Sequence, residues 1–106
     1  MNELYSIEPR VLLMLRVELE AALRYLGSLH AAWLRDPAVG EDNRRIAAVI
    51  VLIEEVHRQT GGAGYKPREM LPFLQCAIYL LGRIGGAELG PAREHASAAC
   101  ELLTPD

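Results

Sequence analysis

A long, unbroken repeat of apolar residues in the first third of the chain constrains the fold more than any other feature. Its spacing alternates between three and four residues, the period of one helix face packed against other helices. The residues of this repeat, called here the seam, are Leu12, Leu15, Leu19, Ala22, Leu26, Leu29 and Trp33. Further apolar residues widen the seam beyond the narrow contact of a two-stranded coiled coil, so the pattern predicts a helical bundle.

Turn and capping signals divide the chain into four predicted helices. Proline favours the first turn of a helix and glycine the position just after its end, and both residues separate the apolar stretches. With 106 residues the chain has the size of one domain, and its 51% apolar content with few aromatic residues is typical of packed helices. The sequence predicts an all-α, four-helix bundle-like single domain over residues 1–106, with helices at about 7–35, 42–60, 67–84 and 91–103.

The predicted helix ends depend on a few individual residues. Ser6 is a candidate N-cap for the first helix, and Asp42 or Asn43 for the second. Either Pro67 or Pro72 begins the third helix, and Pro72 marks its start or a kink within it.

The second predicted helix contains residues 46–53, which are all apolar and mostly β-branched. Taken alone, this stretch also fits a buried strand. Acid-before-base pairs at helical spacing flank it, Glu41 with Arg45 and Glu54 with Arg58, and no second strand candidate exists for pairing. The pattern therefore predicts a central helix that is buried on all sides.

Charge, hydropathy and cysteine content indicate which partners and compartment to expect. The net charge is −3 and the eleven Lys and Arg residues are dispersed among acids, so no nucleic-acid partner is expected. The longest apolar run is far shorter than the roughly twenty residues of a membrane span, and we also expect no secretory signal. Cys76 and Cys100 are predicted to be buried free thiols, which favours a cytoplasmic location.

Apolar surface is the main functional signal of the sequence. The second and third helices are apolar over most of their circumference. A unit of this size cannot cover all of that apolar surface, which predicts a homodimer. The candidate interface residues are Leu12, Leu19, Leu26 and Trp33. A helix of another protein is an alternative partner for them. The leading hypothesis is a non-enzymatic, self-associating interaction module without catalytic residues or a cofactor.

A pair of potential metal ligands gives an alternative hypothesis. Glu54 and His57 are three residues apart, so both lie on one helix face, and Glu18 or Glu20 is roughly level with them if the first two helices fold back on each other. This arrangement resembles half of the site of ferritin-like proteins. The resemblance implies a di-metal carboxylate oxidoreductase that binds iron or zinc and whose site is completed by dimerisation.

Two further observations bear on these hypotheses. A complete ferritin-like chain carries the Glu-x-x-His motif twice. The other acid and histidine of this chain, Glu94 and His95, are adjacent in sequence and so point in different directions on a helix. His30, one turn before a predicted helix end, fits a structural role because a cation is favoured there. A third hypothesis is a cavity between helices that admits a small apolar ligand, with Met14 and Met70 as adaptable linings.

Overall fold

The chain forms four α-helices in the computed structural model, which describes residues 8–61 and 66–104. Short 3₁₀ turns, Pro37–Val39 and Ala87–Leu89, connect the first helix to the second and the third to the fourth. The helices are α1 (Pro9–Trp33), α2 (Gly40–Thr60), α3 (Pro67–Gly82) and α4 (Gly90–Leu103). In the described part of the chain, no helix combines the length and the apolar character that a membrane crossing requires.

The observed helix ends all lie within two residues of the predicted ones. Pro9 and Pro67 lie in the first turns of α1 and α3, where the missing N–H of proline costs no hydrogen bond. Pro72 is exposed and lies inside α3, so it does not begin the helix. The prediction of Asp42 or Asn43 as a cap was wrong, because α2 begins at Gly40 and includes both. Ser6 lies outside the described residues.

The four helices form a closed ring in which α1 and α3 each pack against both α2 and α4. Arg16 donates a hydrogen bond to Thr60, so the first part of α1 lies beside the end of α2. Glu18 of α1 likewise contacts His95 of α4, and the Tyr25 hydroxyl donates to the carbonyl oxygen of Glu88. Both neighbours of α1 therefore run antiparallel to it. The predicted all-α, four-helix bundle-like fold is confirmed.

One buried apolar cluster holds the four helices together. α4 contributes three alanines, and small side chains allow two helices to approach closely. α1 contributes the middle of the seam, α3 contributes Met70, Leu74 and Leu81, and the turns add Ile84 and Leu89. The fully buried seam residues are Leu15, Leu19, Ala22 and Leu26.

α2 lies at the edge of this cluster and not at its centre. Ile46, Val49 and Ile53 are fully buried, whereas Val51 on the opposite side of the helix is 64% exposed. Glu54 is also exposed. The prediction of a helix buried on all sides was wrong, because the main neighbours of α2, α1 and α3, cover only one side of it.

The last turns of α1 lie at the margin of the buried cluster. Leu26 is the last fully buried residue of α1, but the helix continues to Trp33. Leu29 and Trp33 continue the seam and are only half-buried. Residues 27–33 of α1 are called the terminal turns of α1 below.

Candidate interaction surfaces

The four predicted metal ligands do not converge in the structure. Glu20 Oε2 lies 2.9 Å from Nε2 of His57, and Glu18 Oε1 lies 2.7 Å from Nδ1 of His95 on the other flank of α1. Glu54 is exposed and belongs to neither pair. The predicted set of Glu18 or Glu20 with Glu54 and His57 is therefore not assembled. Residues 8–61 and 66–104 contain no group of three or more His, Cys, Asp or Glu side chains placed to hold a metal ion.

The pair of Glu20 and His57 belongs to a polar strip along the junction of α1 and α2. Arg16 donates to Thr60 Oγ1 at 2.8 Å and lies 3.9 Å from the Glu20 carboxylate. The hydrogen bond with His57 is the main reason why the pKa of Glu20 lies below its ordinary value, and the positive charges of Arg16 and Arg24 lower it further. This strip joins two helices, and its partly exposed groups are satisfied by one another.

A second polar contact joins the far ends of α1 and α2. Asn43 is only 6% exposed, and its Nδ2 donates to the carbonyl oxygen of His30 at 3.3 Å. The Oδ1 atom of Asn43 is then the one that faces the ring, 2.8 Å from Nδ1 of His30. In the neutral ring, Nδ1 therefore carries the proton and Nε2 is the acceptor. The contact supports the predicted structural role of His30.

The four predicted interface residues lie in the core or beside it. Leu19 and Leu26 are fully buried against the other helices of the same chain, so they offer no surface to a partner. Leu12 and Trp33 are half-buried and pack against the same cluster. A three-and-four spacing identifies an apolar helix face but does not tell whether the same chain or another chain covers it.

A different part of α1 exposes apolar side chains. Leu13 is 65% exposed, Met14 49% and Val17 61%, and Leu13 and Val17 lie one turn apart on the helix side opposite the core. These three residues are called the α1 patch. The predicted interface residues did not include these three because they fall outside the seam. The available signal was the presence of large apolar residues on the side of an amphipathic helix that is usually polar.

The two cysteines occupy different environments. Cys76 is exposed on α3 and Cys100 is half-buried on α4, and neither forms a disulfide. The prediction of a buried Cys76 was wrong, since the surrounding stretch of α3 is apolar on both its core side and its outer side. Burial raises the pKa of the Cys100 thiol.

A surface cleft of about 280 Å³ lies where the terminal turns of α1 meet the start of α2. It is open to solvent and does not involve Met14, which is exposed, or Met70, which is in the core. The cleft therefore differs from the predicted cavity between helices. Six of its lining residues are His30, Trp33, Leu34, Asn43, Arg44 and Ala47.

Comparisons of this chain with protein-family models, with curated proteins and with solved structures found no match.

Proposed function

We propose that this chain is a non-enzymatic interaction module that forms a homodimer through the α1 patch. The observation that carries the proposal is the exposure of Leu13, Met14 and Val17 on one face of a 25-residue helix. Three neighbouring large apolar side chains in contact with water form the kind of patch that marks protein interfaces. Covering them with a second copy removes this surface from water.

The charges around the α1 patch make it self-complementary. Arg10 precedes Leu13 by three residues and Glu20 follows Val17 by three, so a basic and an acidic side chain flank the apolar centre of this face, with Arg24 one turn beyond Glu20. In a two-fold dimer the same surface faces itself in reverse. Two antiparallel α1 helices then place Leu13 on Val17 of the other copy and Arg10 beside its Glu20. A parallel arrangement gives neither match.

The proposed register sets how much of α1 takes part in the dimer. Leu13 on Val17 of the other copy aligns residues 9–21 of the two helices, about half of α1, over a length of about 20 Å at about 1.5 Å per residue. Stable interfaces bury about 800 Å² on each partner, so side chains of the helices that flank α1 have to take part in the contact as well. Arg10 is available for a contact because its side chain is 85% exposed and its contact with Glu8 is a distant 4.0 Å.

Sedimentation velocity of two matched valine variants tests the dimer. Val17 and Val51 are almost equally exposed, at 61% and 64%, but lie on different helices. We expect the unchanged protein to be a dimer at micromolar concentration, Val17→Glu to be a folded monomer and Val51→Glu to remain a dimer. A monomeric unchanged protein, or equal effects of the two substitutions, would contradict the proposal.

A charge exchange tests the antiparallel orientation. Arg10→Glu places like charges at both ends of the interface, and we expect the dimer dissociation constant to rise about tenfold. Adding Glu20→Lys restores opposite charges and should recover part of the affinity. The matched control is Arg68→Glu, which changes an exposed arginine of α3. Equal weakening by Arg10→Glu and Arg68→Glu argues against the antiparallel arrangement.

Two hypotheses from the sequence are alternatives to this proposal. A helix of another protein is the alternative occupant of the α1 patch, and it predicts a monomer that associates only when that protein is added. In the ferritin-like alternative Glu20 and His57 are in contact, but Glu18 lies against His95 and Glu54 is exposed and belongs to neither pair. The proposal includes a cytoplasmic location, supported by two free thiols, which are typical of a reducing compartment.

A further inference from the structure

The cleft at the end of α1 has apolar walls that the proposed dimer does not use. Trp33 is half-buried on one side, Ala47 lies on the other, and Leu34 at the rim is 66% exposed. The volume of about 280 Å³ is just below the roughly 300–1,000 Å³ found for small-molecule and cofactor pockets. A space of this size, open to solvent, fits one large side chain of a peptide better than a whole cofactor.

The polar part of the cleft is held in place by the chain itself. Asn43 is buried and contacts His30 twice, through its amide nitrogen and its amide oxygen. Both residues line the cleft, so the junction of α1 and α2 below the apolar walls is fixed before any ligand arrives. A site that is already ordered loses less entropy on binding.

Arg44 supplies the positive charge among the residues that line the cleft. Arg44 is exposed and, within residues 8–61 and 66–104, forms no ion pair. Its neighbour Arg45 differs, because it is bound by Asp42 at 2.7 Å and by Glu41 at 3.3 Å. An unpaired guanidinium beside an apolar wall matches a carboxylate that lies close to an apolar group.

We propose that this cleft binds an acidic peptide segment of another protein, which inserts one large apolar side chain beside Trp33 and places a carboxylate on Arg44. Ala47 leaves the space for that side chain, and Leu34 covers its outer edge. The proposal is independent of the dimer, since the cleft and the α1 patch share no residue.

The fluorescence of Trp33 gives a direct measurement, because it is the only tryptophan of the chain. The probe is the peptide acetyl-Asp-Leu-Phe-Glu-amide, compared with its uncharged counterpart acetyl-Asn-Leu-Phe-Gln-amide. We expect the acidic peptide to shift the Trp33 emission to shorter wavelength in a saturable manner. The uncharged peptide should bind about tenfold more weakly, the loss that corresponds to one charge-assisted hydrogen bond.

Three variants locate the binding. Arg44→Gln should reduce the affinity for the acidic peptide about tenfold and leave that for the uncharged peptide unchanged, and Leu34→Ala should weaken both. The matched control, Arg68→Gln on α3, should change neither. Equal affinities for the two peptides, or an Arg44→Gln protein that binds like the unchanged one, would overturn the proposal. So would a peptide response that Val17→Glu abolishes, since it would place the peptide on the α1 patch.

Discussion

Two stretches of the same helix show how one sequence pattern leads to two outcomes. Residues 15–26 of α1 and the terminal turns that follow continue the same three-and-four seam. In the first stretch the seam residues are fully buried, whereas Leu29 and Trp33 in the second are half-buried. The apolar period defines a face in both places. The difference lies in what covers this face, and complete coverage occurs only where the core cluster surrounds it.

The polar contacts of α1 differ between the two stretches in the same way. The first stretch is bound on both flanks, by the contact of Glu18 with His95 of α4 and that of Glu20 with His57 of α2. In the terminal turns, the cross-helix contact that His30 makes is with Asn43 of α2. The peptide site proposed above lies at this junction of the terminal turns with α2, where half-buried Trp33 is open to solvent on one side.

The largest expected effect is a difference in stability loss between two leucine substitutions, one at a buried leucine of the first stretch and one at an exposed leucine next to the terminal turns. Leu19→Ala should lower the free energy of unfolding by about 3 kcal/mol, because a fully buried leucine leaves a cavity among four helices. Leu34→Ala should change it by less than about 0.5 kcal/mol, since Leu34 is 66% exposed. Urea unfolding measures both values. Similar losses in the two variants would mean that Leu34 is packed as firmly as Leu19.

An intermediate effect is expected at the polar contact of the terminal turns. Asn43→Ala leaves the carbonyl oxygen and the ring of His30 without their partner, and should cost about 1–2 kcal/mol of unfolding free energy. In the double variant with His30→Ala, the loss of unfolding free energy should be smaller than the sum of the two single losses, because both substitutions remove the same contact. Additive losses in urea unfolding would show that the two residues act separately.

The smallest expected effect concerns pH and the first stretch. The pKa of Glu20 is lowered from its ordinary 4.5, chiefly by the His57 hydrogen bond, so its charged form is stabilised by folding. This contribution is present above pH 4.5 and is lost as the pH falls through the lowered pKa. We therefore expect the urea midpoint of the unchanged protein to exceed that of Glu20→Gln at pH 7, with a smaller difference at pH 3.

Two details make this pH measurement specific. Both proteins carry Val17→Gln, which adds no charge one turn from Glu20, so that dimer formation does not contribute to the midpoints. Glu54→Gln is the matched control, because Glu54 is exposed on α2 outside both His–Glu pairs. The urea midpoint of this control should differ from that of the unchanged protein by the same amount at pH 7 and at pH 3. A Glu20→Gln difference that is constant with pH would show that the His57 contact is not formed in solution.

Local signals in the sequence were enough to predict the four helices and the inward side of α1. The period of the seam, Pro9 and Pro67 in first turns and Gly61 after α2 depend only on neighbouring residues, as helix formation largely does. The same reasoning failed for α2 and for Cys76, whose apolar surroundings were interpreted as burial. A fully apolar stretch shows which residues are able to enter a core, but the number of neighbouring helices determines which of them do.

The sequence by itself therefore determined that the chain is all-α and that the seam is the inward side of α1. Only the tertiary structure decided the partners of the polar groups, because these depend on the relative positions of helices far apart in the chain. Glu18 meets His95 across 77 residues of sequence, a pairing with no local signal. The tertiary structure likewise decided where coverage ends, and so left the α1 patch and the cleft beside Trp33 as open surfaces.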